Sequence, residues 1–166
     1  MQGIARRVVL VAAIVTLSAG LTAVSAVAAG TTSRFYNLQE TVTATDAAGT
    51  PLPNGGSGSV PLPGYHITYT GLDYVGNHHR HASKPTASNH LACTFVTASS
   101  LTCNAQVAVG GLLLLGNDVT ATLTSGGVST IPINGGTGKY QHAQGAVTVT
   151  PVLGGPNADV TITLDG

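Results

Sequence analysis

Apolar and polar residues alternate in short stretches from Phe35 onward, and Gly, Pro, Asn, Ser and Thr interrupt the stretches throughout. The 3.6-residue spacing of an amphipathic helix is almost absent. Period-two alternation bounded by turn-forming residues is the mark of half-buried strands. It predicts strands over about Phe35 to Thr45, Tyr65 to Val75, Leu91 to Thr97, Leu101 to Val109, Asp118 to Ser125, Val128 to Asn134, Ala143 to Pro151 and Asp159 to Leu164. Eight such segments predict an all-β domain. An antiparallel meander of this size can close into a barrel, which removes its edges and leaves a lumen wide enough for side chains or one small ligand. Alternation alone does not separate a closed barrel from a sandwich.

Three stretches break the pattern. Asp46 to Pro63 holds Gly49, Pro51, Pro53, Gly55, Gly56, Gly58, Pro61 and Pro63, too many breakers for regular structure. Asn77 to Asn89 reads as a second long loop, carrying His78, His79, Arg80 and His81. Gly110 to Gly116 is continuously apolar. In a barrel it is either a strand with one side in the core and the other against a partner subunit, or a loop packed over a barrel end.

The start of the chain has a different character. Arg6 and Arg7 precede an apolar run from Val8 to Leu21, and small residues follow, with Val24-x-Ala26 and Ala26-x-Ala28 as cleavage signatures. This is the layout of a secretory signal peptide over residues 1–28, and it predicts a secreted domain over residues 29–166. The apolar run is short and studded with Ser, Thr and Gly, which argues against a retained membrane anchor. Past the leader, Arg34, Arg80, Lys84 and Lys139 face six carboxylates, so no basic patch exists and nucleic acid is excluded as a partner class. Cys93 and Cys103 are the two cysteines of the chain. In an exported protein they predict a disulfide, and they fall on neighbouring predicted strands.

Chemistry-bearing residues are few. Glu40 and Asp73 are the carboxylates inside predicted strands, and inside a barrel either would have its pKa raised by desolvation. Tyr65, Tyr69, Tyr74 and Tyr140 supply phenolic hydroxyls. Glu40, Asp73 and Tyr69 are therefore the catalytic candidates, and Tyr65, Tyr69, Asp73 and Phe95 the ligand-binding ones. His78, His79 and His81 form the metal-binding candidate, set against the simpler reading of a solvated polar loop. No Ser–His–Asp order and no glycosidase-like carboxylate pair stands out, and no motif calls for a cofactor.

The glycine-rich stretch from Ile131 to Val149 invites a phosphate-loop reading, but Lys139 is followed by Tyr140 rather than Ser or Thr, and a strand pattern follows instead of a helix. The glycines suit a tight β corner. Gly135, Gly136, Thr137, Gly138, Lys139, Tyr140, Ala143 and Gly145 closely resemble the Gly-Gly-Thr-Gly-(Lys/Arg)-(Tyr/Phe)-x-x-Ala-x-Gly signature of the allene oxide cyclase barrel and dirigent superfamily. Leu38 to Thr43, Leu62 to Gly76 and Leu91 to Phe95 look like that family's first three strands. The resemblance is to the small secreted bacterial branch. It implies a closed eight-stranded antiparallel barrel with an apolar cavity, often assembled as a homotrimer. The plant cyclases look to a glutamate late in the first strand, and here Thr45 and Ala47 fall at that place.

Three readings of function follow. The leading one is a secreted barrel that binds an apolar or phenolic small molecule in its lumen and steers a cyclization or coupling by shape and proximity, an isomerase- or cyclase-like activity if it is an enzyme. The second is a non-catalytic extracellular structural or interaction protein with a filled barrel. The third is a histidine-loop metal binder.

Overall fold

The computed structural model describes residues 30–53, 61–124 and 126–165. The predicted signal peptide, with its cleavage signatures, lies outside the described residues, as does the Gly-rich middle of the Asp46 to Pro63 loop. The described chain is a run of antiparallel strands: β1 (Thr32–Thr45), β2 (His66–Asn77), β3 (Arg80–His81), β4 (Ala87–Thr97), β5 (Ser100–Val109), β6 (Leu112–Leu123), β7 (Ser129–Ile133), β8 (Gly135–Gly136), β9 (Gly145–Pro151) and β10 (Ala158–Leu164). One 3-10 turn, Gly138–Tyr140, is the helical element placed between β8 and β9.

The sheet closes. Its order is β1-β10-β9-β7-β6-β5-β4-β2, and β2 returns to β1. β7 and β8 are two pieces of one stave, both paired with β6 and broken at Asn134, and β3 is a short flap on the end of β2. The result is a closed eight-stranded antiparallel barrel, as the alternation and the family resemblance predicted. β1 makes the closure by pairing on both sides: Thr32 to Asn37 with β10, and Phe35 to Thr45 with β2. Just before β10 begins, Asn157 extends the contact, its Oδ1 accepting from the Gln39 backbone N–H at 3.3 Å.

Strand β5 shows how sequence becomes a barrel wall. Leu101, Cys103, Ala105, Val107 and Val109 are buried, while Thr102, Asn104 and Gln106 are exposed. The same parity brings Phe35, Leu114 and Ile162 into the most deeply buried part of the core. Cys93 and Cys103 sit directly opposite one another in the β4–β5 register and form the expected disulfide, with Cα atoms 4.1 Å apart. Both sulfurs belong to the inward-facing set.

The structure departs from the sequence reading at three places. β6 starts at Leu112, well before the expected Asp118, and the apolar run is a strand with Leu114 buried and Leu113 and Leu115 half-buried. Gly110 and Gly111, both at positive φ, make the two-residue turn that allows this hairpin. Asp118 sits instead beside a bulge, at φ +50, with its backbone N–H on Asn104 Oδ1. The histidine loop is shorter than expected, because Arg80–His81 folds back onto β2 and β4 begins at Ala87.

The glycine corner has a steric basis. Gly135 and Gly136 pair with Leu115 and Leu114, and Thr137 exchanges hydrogen bonds with the backbone of Leu113. A Cβ on Gly136 would collide with the Leu113 carbonyl and lie 2.6 Å from Tyr140 Cβ. A Cβ on Gly145 would meet the Thr163 carbonyl across the sheet. Tyr140 is buried beneath the corner, and Ala143 packs against the same cluster.

Candidate functional site

Two polar side chains among the described residues are buried as deeply as the core: Asn37 and Asp73, each 1% exposed. They face each other across the β1–β2 register, on the inward parity of their strands. Asn89 on β4 joins them from the next stave, opposite Gly71. Asn37 Nδ2 donates to Asp73 Oδ1 at 2.7 Å, and Asn89 Nδ2 reaches Oδ1 and Oδ2 at 3.0 and 2.9 Å. The Tyr69 hydroxyl donates to the other end of the Asn37 amide, at Oδ1. A linear network therefore runs Tyr69–Asn37–Asp73–Asn89.

Gly71 makes the network possible. It lies on the inward face between Asp73 and Tyr69, and the Asn37 amide occupies the space a side chain there would fill. A Cβ at Gly71 would stand 2.6 Å from Asn37 Nδ2 and 2.9 Å from Oδ1.

Burial sets the acid–base character. Desolvation pushes the Asp73 carboxyl above its ordinary value, and the N–H donors of Asn37 and Asn89 hold it partway back. Burial also pushes the Tyr69 phenol well above its ordinary value, and the negative charge of Asp73 adds to the effect. Both effects favour the protonated phenol, the form that donates to Asn37. Asp73 is covered on every side and cannot touch a ligand directly. The network is built to hold groups in place.

The lumen is not equally filled along its length. Phe35, Leu114 and Ile162 are fully packed. Around and beyond Tyr69, the inward-facing residues Val42, Ile67, Leu91 and Phe95 are half-buried, as are Tyr69 and Asn89 themselves. The polar network thus lies with one end in the packed core and the other against the more open, apolar part of the barrel.

The structure places the remaining candidates as follows. Asp73 and Tyr69 come together through Asn37. Glu40 lies exposed at the β1 bulge and is not part of the network. Phe95 faces inward near the disulfide, opposite Leu101. Tyr65 precedes β2, half-buried, its carbonyl accepting from the Phe95 N–H. The histidines point to separate partners. His78 Nδ1 lies 2.5 Å from Asp159 Oδ2, and its ring contacts His79, whereas His81 stacks on Tyr36 with ring centroids 4.6 Å apart. Among the described residues no group of three or more His, Cys, Asp or Glu is arranged to hold a metal ion. Asn37 and Asn89 did not emerge from the sequence as site residues. Their inward parity, in step with Phe35 and with Leu91 and Cys93, is the signal that marks them.

An open groove of about 650 Å³ lies outside the lumen, between the Ala82–Thr86 segment and the Gly110–Gly111 turn, with Leu72 and Lys84 among its lining residues. Among the described residues no helix is long and apolar enough to cross a membrane.

No protein-family model matches the chain, and no curated protein matches it. Among solved structures it is similar to pyocyanin demethylase, with a TM-score of 0.57 and 17% sequence identity over 81% of this chain and 99% of that one. At that identity the likeness is one of fold, and it joins this closed barrel to a barrel of known structure with an enzymatic name.

Proposed function

We propose that this protein is a secreted barrel that binds one apolar or phenolic small molecule in its lumen and orients it, with Tyr69 as the polar contact and Ile67, Leu91 and Phe95 as the apolar wall. The observation that carries this reading is the polar network whose Tyr69 end meets the half-buried, apolar part of the lumen. Ligand sites are commonly apolar hollows with a few fixed polar groups. Any steering of a cyclization or coupling would act by confinement and alignment, since the Tyr69 proton is held by Asn37 and Asp73 is sheathed by asparagine N–H groups. The glycine-corner resemblance and the fold shared with pyocyanin demethylase, a barrel named for chemistry on a small molecule, support the same reading. A homotrimer belongs to the proposal through the family resemblance.

The test is titration with an environment-sensitive apolar fluorophore. Saturable binding near one site per chain is expected, weakened by Leu91→Trp, which fills the space beside Tyr69. Absence of saturable binding would sink the proposal. It would favour the second reading, a filled extracellular structural barrel, which the close packing around Phe35, Leu114 and Ile162 supports. Recovery of leaderless protein from culture medium would test secretion, and scattering mass would test the trimer.

A further inference from the structure

The direction of the hydrogen bonds in the network restricts what the lumen can recognise. Asp73 accepts at both carboxylate oxygens from amide nitrogens. A side-chain amide has one donating end and one accepting end, so fixing the first fixes the second. Asn37 turns Nδ2 to Asp73, with the backbone carbonyl of Leu72 at 3.5 Å from the same nitrogen, and so must present Oδ1 to Tyr69. Tyr69 spends its single proton on that oxygen. What the Tyr69 hydroxyl has left for a ligand is lone-pair capacity. Asn89 is locked in the same way: its Nδ2 is committed to Asp73, and Oδ1 is the end left over. Flipping either amide would set its oxygen against a carboxylate oxygen within hydrogen-bonding distance, a repulsive contact in a poorly solvated place.

We infer that the Tyr69–Asn89 face of the lumen is an acceptor-only site: it selects ligands that bring a hydrogen-bond donor, a hydroxyl or an N–H, and disfavours carboxylates and donor-free ethers, with Tyr69 and Asn89 as the specificity-determining residues and Asp73 and Asn37 as the positioning residues that fix their polarity. This deepens the lumen-binding reading and rests on it. The negative charge of Asp73 behind the acceptors acts in the same direction, since an anionic ligand meets repulsion and finds no free donor on this face. Gln39, also of inward parity and half-buried, can turn either end of its amide to a ligand and so adds contact without setting a preference.

Three naphthalenes of nearly equal shape test the inference on the full chain: 1-naphthol, 1-methoxynaphthalene and 1-naphthoate, titrated at pH 7 by fluorescence. One hydrogen bond to a half-buried acceptor corresponds to roughly tenfold in affinity. Naphthol should therefore bind about tenfold more tightly than the methyl ether, and naphthoate more weakly than both. Tyr69→Phe should shrink the naphthol-to-ether affinity ratio to about threefold or less, a change in selectivity that simple loss of packing, which weakens both ligands alike, would not give. Equal affinity for naphthol and its ether, or tight naphthoate binding, overturns the acceptor-only inference yet leaves lumen binding standing. A naphthol advantage that survives Tyr69→Phe in full overturns the assignment to Tyr69. If no member of the series binds saturably, the lumen reading falls and this inference falls with it.

Discussion

Replacing Gly71 with alanine should be far more damaging than a single methyl group on a strand ordinarily is. The new Cβ would lie 2.6 Å from Asn37 Nδ2, 2.9 Å from Asn37 Oδ1 and 3.0 Å from the Leu38 carbonyl. The carbonyl, at the edge of ordinary contact, has to give by only a few tenths of an ångström and is the lesser obstacle. Asn37 cannot yield cheaply, because it is tied to Asp73 at one end and to Tyr69 at the other. Overpacking in a tight core costs about 1–3 kcal/mol. Displacing Asn37 also loses a hydrogen bond to a carboxylate, about 1.5–3 kcal/mol. Gly71→Ala should therefore cost about 3–5 kcal/mol, against the roughly 0.5–1 kcal/mol gain that alanine gives over glycine in an unhindered strand. The decisive measurement is a double-mutant cycle by urea denaturation. In an Asn37→Ala background the obstructing amide is gone, so the second substitution should cost less than about 1 kcal/mol, a coupling of at least about 2 kcal/mol. Equal costs in the two backgrounds would show that the Gly71 requirement is not set by Asn37.

Asp73 gives a pH signature. Its folded pKa is raised above the ordinary 3.8, so its stabilising contribution is complete below that value and is lost as pH rises through the folded value. Asp73→Asn should flatten that part of the profile, seen as the difference between wild-type and variant urea midpoints from acid to neutral pH; parallel profiles would contradict it. Tyr140→Phe should be neutral or stabilising, because the Tyr140 hydroxyl is buried with no hydrogen-bond partner among the described residues; a loss above about 1.5 kcal/mol in thermal melts would mean that the hydroxyl is bonded. Converting both Cys93 and Cys103 to alanine should cost about 3 kcal/mol, from reopening a loop with a sequence separation of 10, and a change below about 1 kcal/mol would show that the bridge constrains little.

Much of the barrel was legible in the order of its residues. Leu101 to Val109 alternates without a fault, and the structure buries the expected half of it. The glycine corner was readable as a corner because Gly136 and Gly145 lie where other backbone comes too close for any side chain. The start of β6 was hidden because Leu112 to Leu115 is apolar on both parities, so period two has nothing to register. The site was half-visible. Asp73 and Tyr69 stand out by residue type on a predicted strand. Asn37 and Asn89 do not, because asparagine on a strand suggests a turn or a solvent-facing position, and only the neighbouring stave shows that each serves the same carboxylate. The inward partnership is a property of the register between β1, β2 and β4, separated by long stretches of chain.

The double pairing of β1 has a consequence for how the molecule is made. Its first six paired residues wait for β10, the last strand of the described chain, so the seam cannot be sewn until β10 itself has been synthesised. Until then one side of β1 is an open template, and a product truncated before Ala158 would keep two such sides for good, on β1 and β9. The topology therefore makes β10 decisive: without it the product is an adhesive sheet rather than a slightly weaker barrel.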